Sequence, residues 1–381
     1  MKKILISAGP IPGNLDSVKY ITNRFKGGLT FKMAKELSYD KNFEITIVKW
    51  KHLDASTDFA ANVINVNNVQ EYMDAVLENE YDCFILSAAV ANLIPTNPWK
   101  GKFPSHNYKA GEKFNIEFMI APRIIDEVKR KYPRSTLIGY KLFDGTDEEL
   151  VAAGWETLVG SKANVVFCNK PSTAKKEKIA LTPDGSEIKM TFDEHVNFIR
   201  RVISLKWFRT EVVDKPTDPA RVFASLIRPP TVRKDPYEFG TVALRTKKGF
   251  VTTTRGKRND GYCEVYDVDF KSRVVNANAK ATLNAPYLQR LFDVFRDMTV
   301  ILHGHKQIDE FETFPYHFHG TNEDNTTFKT SNFNIEHHGY YVMFETIHEA
   351  SEWLEKEYPQ TGKNIVRCSR KDTSKNRSLT K

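Results

Sequence analysis

The sequence predicts two α/β domains, of which the first is a doubly wound, Rossmann-like parallel sheet. Residues 1–208 alternate strand-like apolar runs with helical patterns, which is typical of a parallel sheet with helical crossovers. The chain has 381 residues, which exceeds the usual domain size of about 100–200 residues. A stretch rich in proline and charge, VVDKPTDPARVFASLIRPPTVRKDP, separates regions of different pattern. We therefore expect domains at 1–214 and 215–362, followed by a tail at 363–381.

In the first domain, apolar runs of strand length alternate with amphipathic segments of helix length. Strands are predicted at 3–7, 44–49, 83–88, 137–140 and 165–168, and helices at 68–78, 120–131 and 147–159. A hairpin, IALTPDG followed by SEIKMTF, and a helix from Asp193 to about Phe208 complete this domain.

The second domain is predicted to combine short strands with two helices. GTVALRTKKGFVTTTRGKR indicates a hairpin that turns at Lys247 and Lys248, and MTVILHGH indicates a strand. APYLQRLFDVFRD and TIHEASEWLEKEY have helical patterns. His303 and His305 share one face of their strand and can point into one cavity. Such a pair is compatible with an incidental arrangement or, with a third ligand, with a zinc site that keeps one position open.

Composition points to a reduced, cytoplasmic protein. Hydrophobic residues make up 40% and charged residues 27%, with no apolar stretch long enough for a membrane helix and no signal-peptide pattern. The cysteines have no C-x-x-C spacing and stand at positions 83, 168, 263 and 368. Part of the net charge of +8 lies in the tail RCSRKDTSKNRSLTK, which we expect to be disordered. Without an aromatic platform, this tail does not favour nucleic-acid binding.

The opening loop, ILISAGPIPGNLDSVKYITN, raises the question of what it binds. A strand, a small-residue turn and a helical pattern are how a nucleotide-binding α/β domain usually begins. Gly9 and Gly13 nevertheless fit neither the dinucleotide motif G-x-G-x-x-G nor the P-loop.

Three segments in order carry a family resemblance: the opening loop, YDCFILSAAVAN and LIGYKLFDGTDEE. With them, residues 1–205 resemble the phosphopantothenoylcysteine synthetases, the phosphopantothenate–cysteine ligases of coenzyme A biosynthesis. The family's first loop has the form A-G-P/G-T, then I/L-D-x-V-R-x-I-x-N. This chain offers Ala8-Gly9-Pro10, Leu15-Asp16, Val18-Lys19 and Ile21-Thr22-Asn23.

The resemblance implies that CTP or ATP, with Mg²⁺, activates a carboxylate as an acyl-nucleotide, which the cysteine amine then displaces. It implies catalytic roles for Asn23 and for Lys100 and Lys102, which align with lysines of the family's mobile flap. Nucleotide or substrate binding is implied for Gly9, Pro10, Asp16, Lys19, Ala88, Ala89, Asn92, Lys141 and Asn169. The same residues could instead be turn glycines, solvated lysines and asparagine caps.

The first domain departs from the family pattern at three places. Arg24-Phe25-Lys26-Gly27-Gly28 replaces S-S-G-K, Asn92 replaces an aspartate, and Lys19 replaces an arginine. Lysine lacks the bidentate geometry of arginine towards carboxylates and phosphates. The segment GYKLFD leaves the choice between CTP and ATP open.

Residues 237–358 are similar to class II aldolases and their adducin-like relatives. The similarity rests on GTVALRTKKGFVTTTRGK, NAKATLNAPYLQRLFDVFRDMTVILHGH, FPYHFHGT and NFNIEHHGYYVMFETIHEASEWLEKEY. It implies zinc on His303, His305 and His338, with His337 as a neighbour. His317, His319 and His348 are expected to be surface residues or residues that support the ligands.

Two segments of the aldolase pattern are missing. Ala281-Thr282-Leu283-Asn284 stands where the family has a catalytic glutamate, and an amide cannot accept a proton at neutral pH. Gly240-Thr241-Val242-Ala243 replaces the phosphate-binding segment. We therefore expect metal binding without aldol cleavage by the usual route.

The sequence thus predicts a homo-oligomeric ligase for small-molecule substrates, fused to a zinc-binding domain and not bound to a membrane. Two alternatives remain open at this point. The chain could be a metabolite-binding or regulatory fusion without turnover. Only the zinc domain could be catalytic, as an aldolase, epimerase or dehydratase acting on a phosphorylated sugar.

Overall fold

The computed structural model describes residues 1–215, 220, 224, 227, 229, 232–234, 237–255, 261–325 and 330–359. These residues form two compact units, the first of 1–181 and 189–203 and the second of 182–188 and the chain from Ser204 onwards. The division at Ser204 differs from the boundary that the sequence predicts near residue 215. The predicted tail 363–381, with Cys368, lies outside the described residues.

The first unit begins with a strand and alternates strands with helices. Its elements are β1 (Lys2–Ala8), β2 (Pro10–Ile11), β3 (Gly13–Asn14), β4 (Tyr20–Ile21), α1 (Gly28–Ser38), β5 (Phe43–Trp50), β6 (Asn62–Val66), α2 (Val69–Glu78), β7 (Cys83–Leu86), β8 (Ala89–Val90), β9 (Leu93–Pro95), a 3₁₀ helix (Ser105–Asn107), β10 (Phe118–Ile120), α3 (Ile124–Lys131), β11 (Thr136–Leu142), α4 (Asp147–Ser161), β12 (Val165–Asn169), β13 (Glu177–Leu181), β14 (Glu187–Thr191) and α5 (Phe192–Ser204).

The main sheet of this unit confirms the predicted doubly wound fold. Its eight strands follow the order β14-β13-β12-β11-β7-β1-β5-β6. The strands from β12 to β6 are parallel, and β13 pairs antiparallel with β12. Continuous apolar runs such as Ile4–Ile6 in β1 are fully buried, as expected for strands covered on both faces. Helix α3 contacts both α2 and α4, and the usual right-handed crossover would place α1 on the opposite face of the sheet from these three helices.

Helix starts in this unit follow local side-chain chemistry. Asn68 accepts a hydrogen bond from the Glu71 N–H at the start of α2. Thr146 and Glu149 form a capping box at the start of α4. The helix predicted from residue 120 begins later, at Ile124, because residues 118–120 pair with β9 and Pro122 follows them.

The second unit is a mixed α/β unit built on a mainly antiparallel sheet. Its further elements are β15 (Arg209–Val212), β16 (Val232–Lys234), β17 (Tyr237–Phe239), β18 (Thr241–Thr246), β19 (Gly249–Thr253), β20 (Tyr262–Asp269), β21 (Val274–Ala277), α6 (Ala285–Val294), β22 (Val300–Gly304), β23 (Thr313–Phe314), a 3₁₀ helix (Asn322–Asn325), β24 (Asn332–Ile335), β25 (Gly339–Phe344) and α7 (Ile347–Glu357).

Nine strands of this unit follow the order β15-β21-β20-β19-β18-β22-β25-β24-β23. Among the described strand pairs of this sheet, only the two edge pairs are parallel, namely β15 with β21 and β23 with β24. Apolar residues of α7, including Ile347 and Leu354, pack on Val300 and Leu302 of β22. This packing fixes the strand that carries His303 and that ends directly before His305. Nowhere in the described residues is a helix both long and apolar enough to cross a bilayer.

Candidate functional site

In the first unit the chain direction across the sheet reverses between β1 and β7, and the space outside the carboxyl ends of these two strands is called the crevice here. From β1 the chain continues to β5 on one side, while β7 lies on the other side. Ligands of doubly wound sheets bind outside the carboxyl ends of the strands at such a switch point. Gly9 follows β1 and Ala88 follows β7, and the Ala88 N–H donates to the Ser7 hydroxyl at 3.2 Å. Two predicted binding residues therefore lie together at the switch point.

The opening loop is shaped by a close approach of two glycines. Gly9 and Gly27 both have φ of +75°, a conformation that other residues rarely adopt. A Cβ on Gly27 would lie 2.5 Å from the Gly9 nitrogen, so the two backbones meet with no room for a side chain. Helix α1 begins directly after Gly27 and has no acidic residue in its first turn. The N-terminus of a helix attracts anions, so this end of the crevice suits a phosphate or carboxylate.

Asn23 holds the second wall of this crevice. Its side-chain amide donates to the carbonyls of Ala89 and Val90 at 3.0 and 3.1 Å. The same segment pairs with the opening loop, since Pro10 lies opposite Ala89 and the Ala89 N–H donates to Gly9 O at 2.9 Å. Sequence reasoning assigned Asn23 to the substrate. In the structure its amide nitrogen binds backbone, so it also positions the loop.

Asp16 connects the opening loop to the segment that carries the candidate lysines. Its carboxylate accepts hydrogen bonds from the N–H groups of Val18 and Lys19 and from the Phe103 N–H at 3.0 Å. The Lys19 ammonium lies 2.9 Å from the same carboxylate. Hydrogen bonds from Lys19 and Phe103 hold the pKa of Asp16 well below its usual range. Lys19, predicted to bind substrate, is therefore engaged within its own loop.

The two candidate catalytic lysines lie on the segment that Asp16 fixes. Lys100 and Lys102 are both exposed. The Ser17 N–H donates to Gly101 O at 3.1 Å, between the two lysines, and the Trp99 N–H donates to Leu15 O at 2.9 Å. These bonds fix the backbone of the segment and leave both ammonium groups in solvent.

The remaining predicted residues of the first unit lie on neighbouring elements. Gly13 pairs with Ile21 in a short ladder, and Asn92 is exposed and accepts the Ala121 N–H through its carbonyl at 2.9 Å. Lys141 and Asn169 lie near the carboxyl ends of the adjacent strands β11 and β12.

A buried lysine that the sequence did not single out contacts this strand end. The Lys178 ammonium is 3.4 Å from Asn169 Oδ1 and 3.3 Å from Ala174 O, and the residue is only 7% exposed. Burial lowers the pKa of Lys178 to about 8. The sequence is rich in exposed lysines, so residue type alone does not predict that Lys178 is buried.

In the second unit, the predicted zinc residues converge. His303 lies on β22, and His305 follows two residues later. His338 precedes Gly339, whose φ is +122° and whose Cβ would lie 2.0 Å from Gly304 O. Only glycine allows this turn to approach β22 so closely, which brings His338 to the other two histidines. The potential ligand atoms of His303, His305 and His338 all lie within 4.8 Å of one another.

The hydrogen bonds of His303 prepare it to be a ligand. Its Nδ1 lies 2.8 Å from Tyr340 O, so this nitrogen carries the proton and donates. Its buried Nε2 has no hydrogen-bond partner among the described residues. In a metal-binding imidazole, one ring nitrogen usually donates to an acceptor such as a backbone carbonyl, and the other has a free lone pair for the metal ion. His338 contacts Ser186 Oγ at 3.2 Å and Tyr341 OH at 3.4 Å.

Burial favours the neutral form of these imidazoles. It lowers the pKa of His303 to about 4 and that of His338 well below its usual value of 6.5. Neutral imidazole is the form that binds a metal ion. A pocket of about 580 Å³ borders this cluster, with His305, His338, Gln307, Asp309, Glu336 and His337 among its lining residues.

The other histidines divide into buried and exposed groups. His317 and His319 are 6% and 1% exposed, so the expectation that they could be surface residues is wrong. The rings of His319 and His338 stack with their centroids 4.0 Å apart. His337 and His348 have side chains 39% and 42% exposed and pair with neighbouring glutamates.

Asn284, which replaces the expected glutamate, is buried. Its Nδ2 lies 3.4 Å from Thr241 Oγ1, and its Oδ1 has no hydrogen-bond partner among the residues that the structure describes. It stands at the N-terminus of α6 without a capping hydrogen bond from its side chain. The Asn284 amide cannot accept a proton at neutral pH.

Comparison with known proteins assigns relatives to the first unit. The family model for the DNA/pantothenate metabolism flavoprotein C-terminal domain matches residues 1–200. The coenzyme A biosynthesis bifunctional protein CoaBC of Thermococcus kodakarensis is 30% identical over 174 residues, which cover 44% of this chain and 41% of that protein. The chain thus spans about two fifths of the length of this relative.

Two solved structures show likenesses to parts of this chain. The DNA/pantothenate metabolism flavoprotein of Streptococcus pneumoniae is 21% identical, with a TM-score of 0.46, and the match covers 53% of this chain and 98% of that one. The protein YgbL of Escherichia coli is 13% identical, with a TM-score of 0.26, over 34% of this chain and 80% of that one.

Proposed function

The chain belongs to the family of DNA/pantothenate metabolism flavoprotein C-terminal domains, and from this membership we propose that its first unit joins phosphopantothenate to cysteine. The relative from Thermococcus kodakarensis is named for coenzyme A biosynthesis, and we assign the chain to that pathway. The observation that carries the proposal is the glycine-lined loop at the switch point, next to the N-terminus of α1. The small residues Ala88 and Ala89 lie on the other side of the crevice.

The proposed reaction has two steps. A carboxylate oxygen of phosphopantothenate attacks the α-phosphorus of CTP or ATP, and pyrophosphate leaves. The amine of cysteine then attacks the acyl carbon, the nucleoside monophosphate leaves, and the amine loses a proton. Both steps develop negative charge on phosphate oxygens, which backbone N–H groups near Gly9 and the ammonium groups of Lys100 and Lys102 would stabilise. Asp16 would keep those lysines in place.

Mg²⁺ fits this site as a partner of the nucleotide. Among the described residues, every group of three or more potential metal ligands lies in the second unit. The carboxylate of Asp16 is already engaged by hydrogen bonds. Mg²⁺ commonly binds through substrate phosphates and waters, so in the first unit it would arrive with the nucleotide. It would offset the charge of the phosphates.

A pyrophosphate-release assay tests the ligase proposal. The chain is incubated with Mg²⁺, phosphopantothenate, cysteine and either CTP or ATP, and pyrophosphate should form with at least one nucleotide. Lys100→Ala should lower kcat by about 10- to 1000-fold without changing the unfolding midpoint, since an exposed lysine adds little to stability. Lys113→Ala removes another exposed lysine and serves as the control. No pyrophosphate with either nucleotide would rule the activity out.

For the second unit we propose a zinc-binding function on His303, His305 and His338. The unpartnered Nε2 of His303 within reach of two other imidazoles supports it. Zinc with three protein ligands keeps a position for a substrate oxygen, and the ion would act there as a Lewis acid. The pocket beside His305 and His338 gives such a substrate access.

Metal analysis tests the zinc proposal separately from the ligase. Protein purified without chelator should contain zinc in this triad. The double variant His303→Ala plus His305→Ala should lose that zinc. With Asn284 in place of a carboxylate, we expect little aldolase activity on sugar phosphates. Asn284→Glu should raise that activity if the pocket accepts such substrates. A zinc content that is undiminished by removal of these two histidines would show that the triad binds no metal.

A further inference from the structure

A second group of potential ligands lies inside the second unit, apart from the predicted triad. His317, His319 and Asp324 are all buried, with exposures of 6%, 1% and 0%. The two histidines are separated by one residue, and the 3₁₀ helix Asn322–Asn325 carries the aspartate. The potential ligand atoms of the three residues lie within 4.8 Å of one another.

Polar atoms of this group are buried without hydrogen-bond partners in the described part of the chain. They are both ring nitrogens of His319 and Oδ1 of Asp324. The other carboxylate oxygen, Oδ2, accepts the Gly320 N–H at 2.7 Å, so the carboxylate is oriented while Oδ1 points to the histidines. A buried polar atom without a partner costs about 1–3 kcal/mol, which makes three such atoms in one group unusual.

The spacing of the atoms fits a shared ion better than direct hydrogen bonds. Asp324 Oδ1 lies 3.5 Å from His319 Nδ1 and 3.7 Å from His317 Nε2. Two ligand atoms bound to one tetrahedral zinc at about 2.1 Å stand about 3.4 Å apart. Both separations from Asp324 Oδ1 are close to that edge length, and the ligand atoms of all three residues lie within 4.8 Å of one another, so a bound ion would draw them together.

We propose that His317, His319 and Asp324 bind a second divalent ion, of the borderline type that prefers imidazole and carboxylate ligands, such as Zn²⁺. Two imidazoles and one carboxylate form a common zinc ligand set. Asp184 also lies near His319, but its oxygens accept hydrogen bonds from Thr182, Ser186 and Tyr316. Asp324 is therefore the better carboxylate ligand.

The second site shares no ligand with the His303, His305 and His338 triad. The two sites are nevertheless adjacent, since the rings of His319 and His338 stack at 4.0 Å. The chain would thus hold two ions next to each other, one bordering the pocket and one enclosed. Because the ligand sets are separate, either proposal can fail while the other stands.

Zinc stoichiometry by mass spectrometry tests the second site. The full chain is stripped with chelator, reconstituted with Zn²⁺ and washed free of loosely bound metal. We expect about two zinc ions per wild-type chain, and about one in a His317→Gln plus Asp324→Asn variant, since loss of two of three ligands abolishes tight binding. His303→Ala plus His305→Ala should also leave about one, and the variant with all four changes none. His348→Gln, at an exposed histidine, is the control and should keep both.

Two results would overturn the proposal. The first is a zinc-free chain after His303→Ala plus His305→Ala, with circular dichroism unchanged from wild type. The second is a folded His317→Gln plus Asp324→Asn chain that still binds as much zinc as wild type. If that variant does not fold, the His303→Ala plus His305→Ala chain alone decides, because its remaining zinc must lie elsewhere than the triad. Neither outcome depends on ligase activity.

Discussion

Replacing Lys178 by methionine should stabilise the first unit, and by an amount that depends on pH. The lysine is 7% exposed, and burial lowers its pKa from 10.5 to about 8. One pKa unit corresponds to about 1.4 kcal/mol, so burying the charged amine costs about 3 kcal/mol at neutral pH. Its two long hydrogen bonds, to Asn169 and Ala174, return about 1 kcal/mol. Lys178→Met should therefore raise the free energy of unfolding by about 2 kcal/mol at pH 7.

The sign of the pH dependence follows from proton binding. Between pH 8 and 10.5 the unfolded chain holds the Lys178 proton and the folded chain does not. Wild-type stability consequently rises through this window, whereas the contribution of residue 178 in the variant stays constant. The advantage of Lys178→Met should shrink by about 3 kcal/mol towards pH 10.5.

Denaturant unfolding of both proteins at pH 7, 8.5 and 10 measures this difference directly, since all other titrating groups are common to both.

A second measurement uses His195. Its pKa is lowered to about 3, mainly by burial and further by the charge of Lys178. Removing the lysine should raise that pKa, as NMR titration would show. A stability difference that stays constant from pH 7 to pH 10 would refute the reasoning, because it would mean that Lys178 is not desolvated.

Three further changes test other features of the molecule. Gly27→Ala should lower the unfolding free energy by at least about 2 kcal/mol and abolish pyrophosphate release, because Gly27 has φ of +75° and its Cβ would clash with Gly9. Gly28→Ala is the control. A Cβ on Gly28 would have no atom within 4 Å, so this change should alter stability by less than about 1 kcal/mol. Asp16→Asn should weaken the hydrogen bond to the Phe103 N–H and lower ligase turnover. The variant should be less stable than wild type at neutral pH, and this difference in unfolding free energy should shrink as pH falls below 3.8, because wild type loses the stabilisation by the Asp16 carboxylate on protonation. Thr146→Ala should cost about 1 kcal/mol in thermal unfolding by removing the capping box of α4, and an unchanged midpoint would contradict it.

The sheet of the first unit could be predicted because its buried parallel strands are continuous apolar runs. The edge strand β6 escaped prediction, since Asn62–Val66 is mostly exposed and has only one buried residue. The opening loop was expected to lead directly into a helix. Three short strands intervene before α1: β3 and β4 pair with each other, whereas Pro10 of β2 pairs with Ala89, which lies outside any local sequence window.

The proximity of side chains could be predicted where spacing determines geometry, but not where tertiary contacts decide it. His303 and His305 could be placed together from strand periodicity, and the glycine after His338 explains the third member. The same two-residue spacing links His317 and His319, but those residues lie in no regular strand and Asp324 lies in a 3₁₀ helix. Homo-oligomerisation and cytoplasmic location stay predictions.

The structure also changes how the missing family residues should be interpreted. In the first unit, Arg24-Phe25-Lys26-Gly27-Gly28 lacks the two hydroxyl donors that the resemblance implies, yet it contains Gly27 at a position where only glycine allows contact with Gly9. In the second unit, the buried Asn284 cannot accept a proton, while several buried histidines lie close together. Burying several neutral imidazoles beside an unpaired carboxylate is costly unless an ion binds them. We therefore expect this cluster to bind metal rather than to carry out aldol chemistry by a carboxylate acid/base.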